Sequence, residues 1–316
     1  MTSFLYSNDN KRYHTFSYAT KKRYGHKVFK VGLNAGLSCP NRDGSKGLGG
    51  CDFCNAIGSG DFQGNTQAHL LDQYQKGLEI QRNKWPRGLG IAYFQAFTNT
   101  YAPLEKLKEL YEPFFRDDSV IALSIATRMD CLDESILNYL ESMCAIKDVY
   151  VELGLQTIHT QSLENMNRQE DFASFKKGYQ RLLHSPLKVI IHLLNGYPGE
   201  TTDMMIQSAQ AVGQLHPWGI KLHMLNVLKD ARLGLRYLAH PFPLLSQDSY
   251  VELVVEQLRV LPPEVVILRL TGDGDEEELI EPQWIKNKIQ VLNDIDKRMA
   301  KLDVTQGDTH RDETCE

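Results

Sequence analysis

Hydrophobic and polar positions divide the first 228 residues into apolar, strand-like runs separated by amphipathic helical patterns. Strands are predicted at 27–34, 89–97, 119–126, 148–155, 187–195 and 219–227. Helices are predicted between them at 66–83, 103–115, 133–145, 160–184 and 201–215. Because strands alternate with helices long enough for right-handed crossovers, the pattern indicates a parallel sheet. Residues 28–228 are therefore predicted to form an α/β fold, a partial (βα)6 TIM-like barrel, with a doubly wound open sheet as the alternative.

The regular alternation of strand and helix patterns does not continue on either side of this region. A helix at 246–260, a strand at 264–270 and a helix at 283–300 predict a small C-terminal extension over 229–301. The polar residues 302–316 are expected to be disordered. Residues 1–27 form a basic arm in which aromatic residues are interleaved with lysines and arginines. Such a segment is able to bind RNA, or its aromatic residues pack on the barrel.

Alternation within the strands predicts which side chains face the barrel lumen. In the fourth strand the odd positions 149–155 are aliphatic, so Glu152 and Gln156 are predicted to face inward. The same parity groups Lys221 with His223 and places His192 between Ile190 and Leu194 on one face of its strand. A single buried polar residue of this kind is more often a hydrogen-bonded core group than an active-site residue. Polar residues on several adjacent strands instead favour an active-site lumen.

Three cysteines, Cys39, Cys51 and Cys54, lie in one glycine-rich stretch after the first strand. Three thiolates can hold a [4Fe–4S] cube and leave one iron open to a small molecule. Zinc is an alternative, although a closed structural zinc site needs a fourth ligand. In a third interpretation, the three thiols have unrelated roles and bind no metal together. A disulfide framework is not expected, because six cysteines in 316 residues are sparse.

Composition limits the classes of protein. A chain of 316 residues, 42% of them hydrophobic, can bury a large core. It has no apolar run of the roughly 20 residues that span a bilayer, so a soluble, cytoplasmic protein with no membrane partner is expected. The formal charge of −5 argues against bulk coating of nucleic acid.

Six segments together resemble the YhcC/YtqA (MnmL)-type radical S-adenosylmethionine (SAM) proteins, which are related to the radical SAM domain of the Elongator catalytic subunit. The long gap between Cys39 and Cys51 is characteristic of this group. Three departures are Met129, Tyr197 and the loss of a histidine from the family motif at 167–170. The resembling segments are 29–55, 93–103, 124–131, 152–157, 192–200 and 269–273.

The resemblance implies a [4Fe–4S] cluster held by Cys39, Cys51 and Cys54, with SAM at the open iron. It places the SAM contacts at the carboxyl ends of strands, where barrel active sites are built. Each of these residues is otherwise ordinary core or a strand-end turn. The implied contacts are Phe53 with the adenine, Thr98, Asn99 and Thr100 with the ammonium, Arg128 with the carboxylate, Gln156 with the ribose or carboxylate, and Gly196 and Gly199 with the adenosine.

The resemblance also implies that the substrate is tRNA and that the 5-carboxymethylaminomethyl group of wobble uridine 34, with or without 2-thiolation, becomes 5-aminomethyl. Its implied partners are an electron donor, such as flavodoxin or ferredoxin, and a separate downstream methyltransferase. A flipped uridine is expected in the lumen. We expect Lys221 or Arg269 to hold its carboxylate and Glu152 to lie near its amine.

Cys131 is a candidate hydrogen donor or acceptor, or a structural thiol. Two functional alternatives remain at this stage. One is a radical SAM enzyme with a small-metabolite substrate, and the other is a non-enzymatic, zinc-bound RNA adapter.

Overall fold

The structure, a computed structural model, describes residues 4–55, 69–272 and 277–311. Its strands are β1 (Val28–Leu33), β2 (Leu89–Phe94), β3 (Val120–Thr127), β4 (Asp148–Gln156), β5 (Lys188–Asn195), β6 (Gly219–Met224), β7 (Val227–Leu228), β8 (Val266–Arg269) and β9 (Leu279–Glu281). Its α-helices are α1 (Phe16–Tyr24), α2 (Leu70–Lys84), α3 (Leu104–Arg116), α4 (Glu134–Met143), α5 (Thr160–Asn165), α6 (Phe172–Tyr179), α7 (Thr202–Gly213), α8 (Arg232–Ala239), α9 (Gln247–Val260) and α10 (Lys288–Leu302). The predicted start of the second helix, at 66–68, lies outside the described residues.

Seven parallel strands form one curled sheet in the order β1-β2-β3-β4-β5-β6-β8. The predicted partial barrel is confirmed, with one difference. The strand predicted for the C-terminal extension is β8, and it continues the barrel sheet because it pairs with β6, where Lys221 lies opposite Arg269. The sheet therefore crosses the predicted boundary at residue 228.

The period-two pattern explains how the sheet is covered. The aliphatic residues Val149, Val151, Leu153 and Leu155 are buried in the main core between the sheet and the outer helices. Their neighbours on the opposite face point into the lumen, as the alternation predicts. Removal of this aliphatic surface from water is the main stabilisation of the barrel wall.

The helix predicted at 160–184 is interrupted. It forms α5 and α6, with residues 166–171 as a loop between them. Asn167 and Gln169 both have φ of 56°, in the left-handed region that an α-helix cannot use. The sequence pattern missed this break because both flanks keep helical periodicity. The loop matters for the site because it reaches the cysteine-containing segment.

The basic arm is folded onto the amino ends of the strands. Thr15 forms a parallel bridge with Ile267 of β8, and α1 then leads to β1 at the other edge of the sheet. Phe16 packs edge-on against Trp218, and the Tyr24 hydroxyl bonds to Asp148, the first residue of β4. The packed alternative for the aromatic residues is thus the arrangement observed.

Residues 303–310, which were expected to be disordered, pack against the arm and α9. The Gln306 amide donates to the carbonyl oxygens of Pro262 and Val265 at 2.7 and 2.8 Å, and its backbone N–H donates to Arg12. Gln306 is buried. Polar composition suggested disorder here, but the backbone acceptors of a neighbouring turn satisfy this side chain. Residues 312–316 lie outside the described part of the chain.

Candidate active site

The segment that carries the three cysteines is a folded loop at the carboxyl end of β1. Asp43 and Leu48 form an antiparallel bridge, and the Lys46 N–H donates to the Pro40 carbonyl at 2.9 Å. The Gly50 N–H donates to the Asn41 carbonyl at 2.7 Å. The eleven residues between Cys39 and Cys51 therefore fold back on themselves. This brings Asn41 and Gly50, near the two ends of the gap, into direct hydrogen-bond contact.

This cysteine loop (residues 39–54) is anchored to elements that follow β4, β5 and β7. The Asp52 N–H donates to the Met166 carbonyl at 3.0 Å, and the Leu233 N–H of α8 donates to the Asp52 carbonyl at 2.8 Å. The Tyr197 hydroxyl donates to the Asp52 carboxylate at 2.8 Å. Cys51 is held between these anchors, one residue from Asp52.

Cys51 lies in an environment that favours its thiolate. A hydrogen bond from Cys54, together with the nearby guanidinium groups of Arg168 and Arg128, lowers the pKa of Cys51 to about 6. The Asn41 amide also lies 3.5 Å from the Cys51 sulfur and is directed at it. Thiolates are the form in which cysteine binds iron.

The donor set on this loop fits an iron–sulfur cluster with one open iron. Cys39, Cys51 and Cys54 come from one segment. The hydrogen bond with Cys51, burial and the nearby Cys39 raise the pKa of Cys54 well above its usual value. Within residues 4–55, 69–272 and 277–311, no three cysteine, histidine or carboxylate side chains form a ready-made metal cage. Three thiolates require the cluster's own sulfides to complete the coordination of its irons.

Arg128 is already paired in the structure. Its guanidinium donates to both carboxylate oxygens of Asp130, at 2.8 and 2.7 Å, and to the Arg168 carbonyl at 3.1 Å. The expected role of Arg128 as the partner of the SAM carboxylate would require exchange of this bidentate ion pair. Arg168, which the sequence analysis missed, has its Nε buried without a hydrogen-bond partner. Its terminal nitrogen pairs with the Glu170 carboxylate at 3.1 Å, so both arginines are paired and the contact of Arg128 with SAM stays a prediction.

The Thr98–Thr100 segment is buried at the carboxyl end of β2. The Asn99 amide nitrogen donates to the carbonyl oxygens of Phe94, Ala96 and Ala126, each at 3.0 Å. Asn99 Oδ1 is buried and has no partner. Thr100 is bound to Thr127 and to the Cys131 carbonyl, so it has a structural role. The orphaned oxygen of Asn99 fits an ammonium donor such as that of SAM.

The remaining residues assigned to SAM contacts lie at the same rim. Gln156 ends β4 with φ of 79°, which is strained for a residue with a side chain. Gly196 and Gly199, after β5, have φ of 87° and 92°, so glycine is required for this turn. Phe53 packs against a separate apolar cluster that includes Tyr197. Their expected contacts with SAM stay predictions.

Glu152 is the centre of a charged layer in the lumen. It is fully buried, and its carboxylate accepts from Lys221 at 2.5 Å, from His192 at 2.8 Å, from Ser124 at 2.5 Å and from Lys30. Burial opposes ionisation, but Lys221 and Lys30 hold the pKa of Glu152 well below its usual value. Glu152 is therefore an anion whose two oxygens are occupied.

The occupied carboxylate changes the expected role of Glu152. We expected it near the substrate amine, but a second ammonium would have to displace Lys30 or Lys221. Lys30 was not predicted as a site residue from the sequence. It is next to Val31 in β1, whose side chain faces the outer core, so the side chain of Lys30 faces the lumen. In this structure Glu152 positions the lysines instead.

Among the described residues, three basic side chains lie in this layer. Lys30 and Lys221 pair with the Glu152 carboxylate, and Arg269 is near enough to lower the pKa of both lysines. Burial lowers the pKa of His192 to about 4 and lowers that of Lys221 to about 7. The imidazole of His192 is therefore neutral at pH 7, whereas Lys221 is protonated in only part of the molecules. A buried site of this kind can bind an anionic group.

Cys131 lies at the rim in the short turn Met129–Cys131 that follows β3. Burial raises the pKa of Cys131 to about 12, and the neighbouring Asp130 adds to the shift. The thiol therefore keeps its hydrogen at neutral pH. A hydrogen-donor role stays a prediction.

Comparison with known proteins identifies the family. Protein YtqA of Bacillus subtilis is 45% identical over 304 residues, which cover 96% of this chain and 94% of YtqA. Residues 217–301 match the Radical_SAM C-terminal domain. The chain belongs to the radical SAM superfamily. The YhcC/YtqA-type resemblance seen in the sequence is thereby confirmed.

Two further similarities are more distant. The archaeal Elp3 of Methanocaldococcus infernus superposes with a TM-score of 0.64 at 17% identity, over 89% of this chain and 64% of that one. A protein named tRNA uridine(34) acetyltransferase, from Methanocaldococcus jannaschii, is 27% identical over 156 residues, which cover 48% of this chain and 28% of that protein. The first supports the radical SAM barrel fold. Among the described residues, no helix is long and apolar enough to cross a membrane.

Proposed function

We propose that this radical SAM protein modifies tRNA, converting the 5-carboxymethylaminomethyl group of uridine 34, with or without 2-thiolation, to 5-aminomethyl. The observation that carries the proposal is the group of basic side chains in the lumen, with the buried Lys221 opposite Arg269 and next to Lys30, which suits a substrate with a carboxylate. The archaeal protein that is 27% identical to this chain over 48% of its length is named as an acetyltransferase of tRNA uridine 34. Its name supports uridine 34 as the nucleoside on which this protein acts.

The substrate carboxylate would bind Lys221 and Arg269. Lys221 is held by Glu152 at 2.5 Å and by the Tyr93 hydroxyl at 3.1 Å, so its ammonium is fixed before substrate arrives. Arg269 lies opposite Lys221 in the β6–β8 pairing. A bound carboxylate would favour the protonated form of Lys221. Preorganised partners of this kind reduce the cost of ordering on binding.

The chemistry needs a radical because the methylene between amine and carboxylate is unreactive toward bases. The cluster with SAM supplies a 5′-deoxyadenosyl radical when both are bound. The methylene gives up a hydrogen atom. Loss of one electron to a one-electron acceptor, and of the nitrogen-bound proton to water, then leaves an imine. Water then adds and releases the aminomethyl uridine and glyoxylate. The role of the protein would be to bind the carboxylate so that this methylene faces the cysteine loop.

The test is conversion of tRNA that carries 5-carboxymethylaminomethyluridine by anaerobically reconstituted protein, with nucleoside mass spectrometry as readout. Lys221→Met and Arg269→Met should each lower conversion about tenfold or more, as expected for loss of a charged hydrogen bond. Both should keep iron content and substrate-independent SAM cleavage. The matched control is Lys188→Met, since this ammonium pairs with Asp148 at the opposite end of the barrel.

A second arm uses tRNA whose uridine carries 5-methylaminomethyl, which lacks the carboxylate. This tRNA should not be consumed. The lumen would not recognise a carboxylate if the two tRNAs were converted equally. The same would follow if Lys221→Met and Arg269→Met both converted tRNA as the wild type does. Failure of wild-type protein to convert or bind any tRNA would favour a small metabolite as substrate.

A further inference from the structure

His223 is a lumen side chain that has no part in the charged layer around Glu152. It lies on β6 two residues after Lys221, so the two side chains share the lumen face of the strand. Its Nε2 atom is buried, and within residues 4–55, 69–272 and 277–311 no polar group forms a hydrogen bond with it. A buried polar atom of this kind is normally satisfied by an ordered water or a ligand. His223 is therefore available to a molecule that enters the lumen.

His223 lies nearer to the cysteine loop than the proposed carboxylate site does. A strand rises about 3.3 Å per residue, so His223 is about 7 Å further along β6 than Lys221, toward the carboxyl ends of the strands. The cysteine loop lies at that end of the barrel, after β1. A substrate whose carboxylate is bound by Lys221 and Arg269 would extend its methylene carbon and its nitrogen toward the level of His223. The imidazole would then lie beside the atoms that react.

The neighbouring imidazole, that of His192, is already engaged. Its Nε2 lies 2.8 Å from the Glu152 carboxylate and is occupied by that hydrogen bond. The two imidazole rings are in contact, with 5.0 Å between their centroids and an angle of 51° between their planes. His192 therefore packs against His223 and supports its orientation. In the described part of the chain, His223 Nε2 is left to bind a further molecule.

The imidazole of His223 is neutral at pH 7. Burial lowers its pKa well below the usual value, and the nearby His192, Arg269 and Lys221 lower it further, against the opposing effect of Glu152. A neutral imidazole has one nitrogen that donates a hydrogen bond and one that accepts. Because its pKa is low, a proton that it receives is passed on to a more basic atom. Such a group can relay protons from a water to an amine nitrogen.

We propose that His223 binds the water that hydrolyses the imine and relays its protons to the leaving nitrogen. The inference rests on the proposed function and assigns a residue to its last step. The water oxygen forms a bond to the imine carbon, and one proton passes through His223 to the nitrogen. The carbon–nitrogen bond then breaks, its electron pair stays on the nitrogen, and the second proton follows the same route. The products are the amine and glyoxylate, and no electron is gained or lost in this step.

The test separates hydrogen abstraction from imine hydrolysis in anaerobically reconstituted protein. Its substrate is tRNA whose 5-carboxymethylaminomethyl group carries two deuterium atoms on the methylene between amine and carboxylate. Deuterium in 5′-deoxyadenosine reports abstraction, and 5-aminomethyluridine reports hydrolysis. A borohydride quench reduces any remaining imine back to 5-carboxymethylaminomethyluridine with one deuterium instead of two, which nucleoside mass spectrometry detects. A quench without borohydride corrects for deuterium lost by other routes.

The variant is His223→Phe, which keeps an aromatic ring beside His192 and removes the nitrogen atoms. We expect formation of 5-aminomethyluridine to slow about a hundredfold, which is a usual contribution of a group that transfers protons. Deuterium transfer to 5′-deoxyadenosine should stay close to that of the wild type. The singly deuterated nucleoside should therefore accumulate in the variant and stay scarce in the wild type. His223→Gln, whose amide oxygen can still bind a water, should recover part of the rate.

The matched control is His184→Phe, which changes an exposed histidine between α6 and β5. It should leave deuterium transfer and hydrolysis unchanged. Iron per chain and SAM cleavage without RNA should match the wild type in every variant, which shows that each is folded and holds its cluster. If His223→Phe does not hold iron, the comparison is made with His223→Gln, in which a smaller accumulation of imine is expected.

The possible failures point to different errors. Wild-type formation of 5-aminomethyluridine by His223→Phe, with no captured imine, would overturn the inference and leave the proposed function standing. An equal loss of deuterium transfer and hydrolysis would also overturn it, because His223 would then position SAM or the substrate. A wild-type protein that neither transfers deuterium nor forms the product would contradict the proposed function itself, and the role of His223 with it.

Discussion

Glu152 is a carboxylate that the barrel buries completely and surrounds with two ammonium groups. Replacing it by glutamine keeps the shape but removes the only negative charge between Lys30 and Lys221. Uncompensated buried charge typically costs about 3–5 kcal/mol. We therefore predict that Glu152→Gln lowers the free energy of unfolding by about 3 kcal/mol, measured by urea denaturation at pH 7.

The control for this prediction is Glu164→Gln on the exposed side of α5, which should change stability by less than about 0.5 kcal/mol. A Glu152→Gln variant as stable as the wild type would mean that the two lysines are neutral in the folded protein. Loss of conversion in this variant would then report on substrate contact, which is how we first expected Glu152 to act.

Lys221 makes stability depend on pH. Burial lowers the pKa of Lys221 to about 7 in the folded protein, whereas an unfolded lysine keeps its ordinary, higher pKa. The unfolded chain therefore binds more protons above pH 7, and Lys221 makes stability rise with pH from about 7 toward 10. We predict a shallower rise in Lys221→Met, seen as a smaller slope of unfolding free energy against pH.

For one lysine the difference in slope is at most about 1.4 kcal/mol per pH unit. Lys76→Met, at an exposed position of α2, should keep the wild-type slope. Identical slopes in the wild type and Lys221→Met would show that the ion pair with Glu152 keeps Lys221 charged throughout this range.

At the residue scale, the sequence could predict which side chains face the lumen but not which residues they pair with. Strand alternation correctly put Glu152, His192 and Lys221 in the lumen, because a buried strand has a period of two. It could not predict that Glu152 binds Lys30, a residue 122 positions away in the chain. Likewise, strand-end position indicated Arg128, but its pairing with Asp130 depends on local turn geometry.

At the scale of elements, the cysteine loop depends on close packing around Gly47. A Cβ at this position would lie 2.4 Å from Asn41 Oδ1. The Asn41 amide directs its N–H groups at the Cys51 sulfur and at the Asn167 carbonyl. We predict that Gly47→Ala turns this amide away, so that the reconstituted protein loses iron to a chelator several-fold faster than the wild type.

The control is Ser45→Ala in the same loop, where the side chain is exposed and bonds to Asp43 and Pro40. It should retain iron as the wild type does. The measurement is the decay of visible absorbance under anaerobic chelation, together with iron per chain. Equal decay in Gly47→Ala and the wild type would mean that Asn41 does not support the cluster ligands.

The elements themselves were largely predictable, and their exceptions have physical causes. Six strands were predicted to within a few residues, because each is an apolar run that is followed by turn-forming residues. Helices α1 and α8 were not predicted, since basic residues dominate one and the other is only eight residues long. The pairing of β8 with β6 could not be read from sequence either, because pairing partners are a property of the folded sheet.

For the whole molecule, the basic arm and the cysteine loop lie at opposite ends of the barrel. Arg23 and Tyr24 bind Asp148 at the start of β4, whereas the cysteine loop follows the carboxyl end of β1. One of the two alternatives that the sequence left open for this arm was RNA binding, which would involve its basic residues Lys21, Lys22 and Arg23. In the structure these residues belong to the helix that covers the amino ends of the strands, so a uridine at the site would lie far from them.

We therefore predict that charge reversal at Lys21 and Lys22 leaves the conversion of tRNA and its salt dependence unchanged. Arg23→Glu should instead lower stability, because it places a carboxylate beside Asp148 and removes the ion pair seen there. The pair is partly exposed, so the loss should be about 1 kcal/mol. Conversion assays and thermal unfolding of the double and single variants separate the two effects. A tRNA affinity that falls steeply in the Lys21→Glu, Lys22→Glu protein, with unfolding unchanged, would mean that tRNA wraps around the barrel to reach both ends.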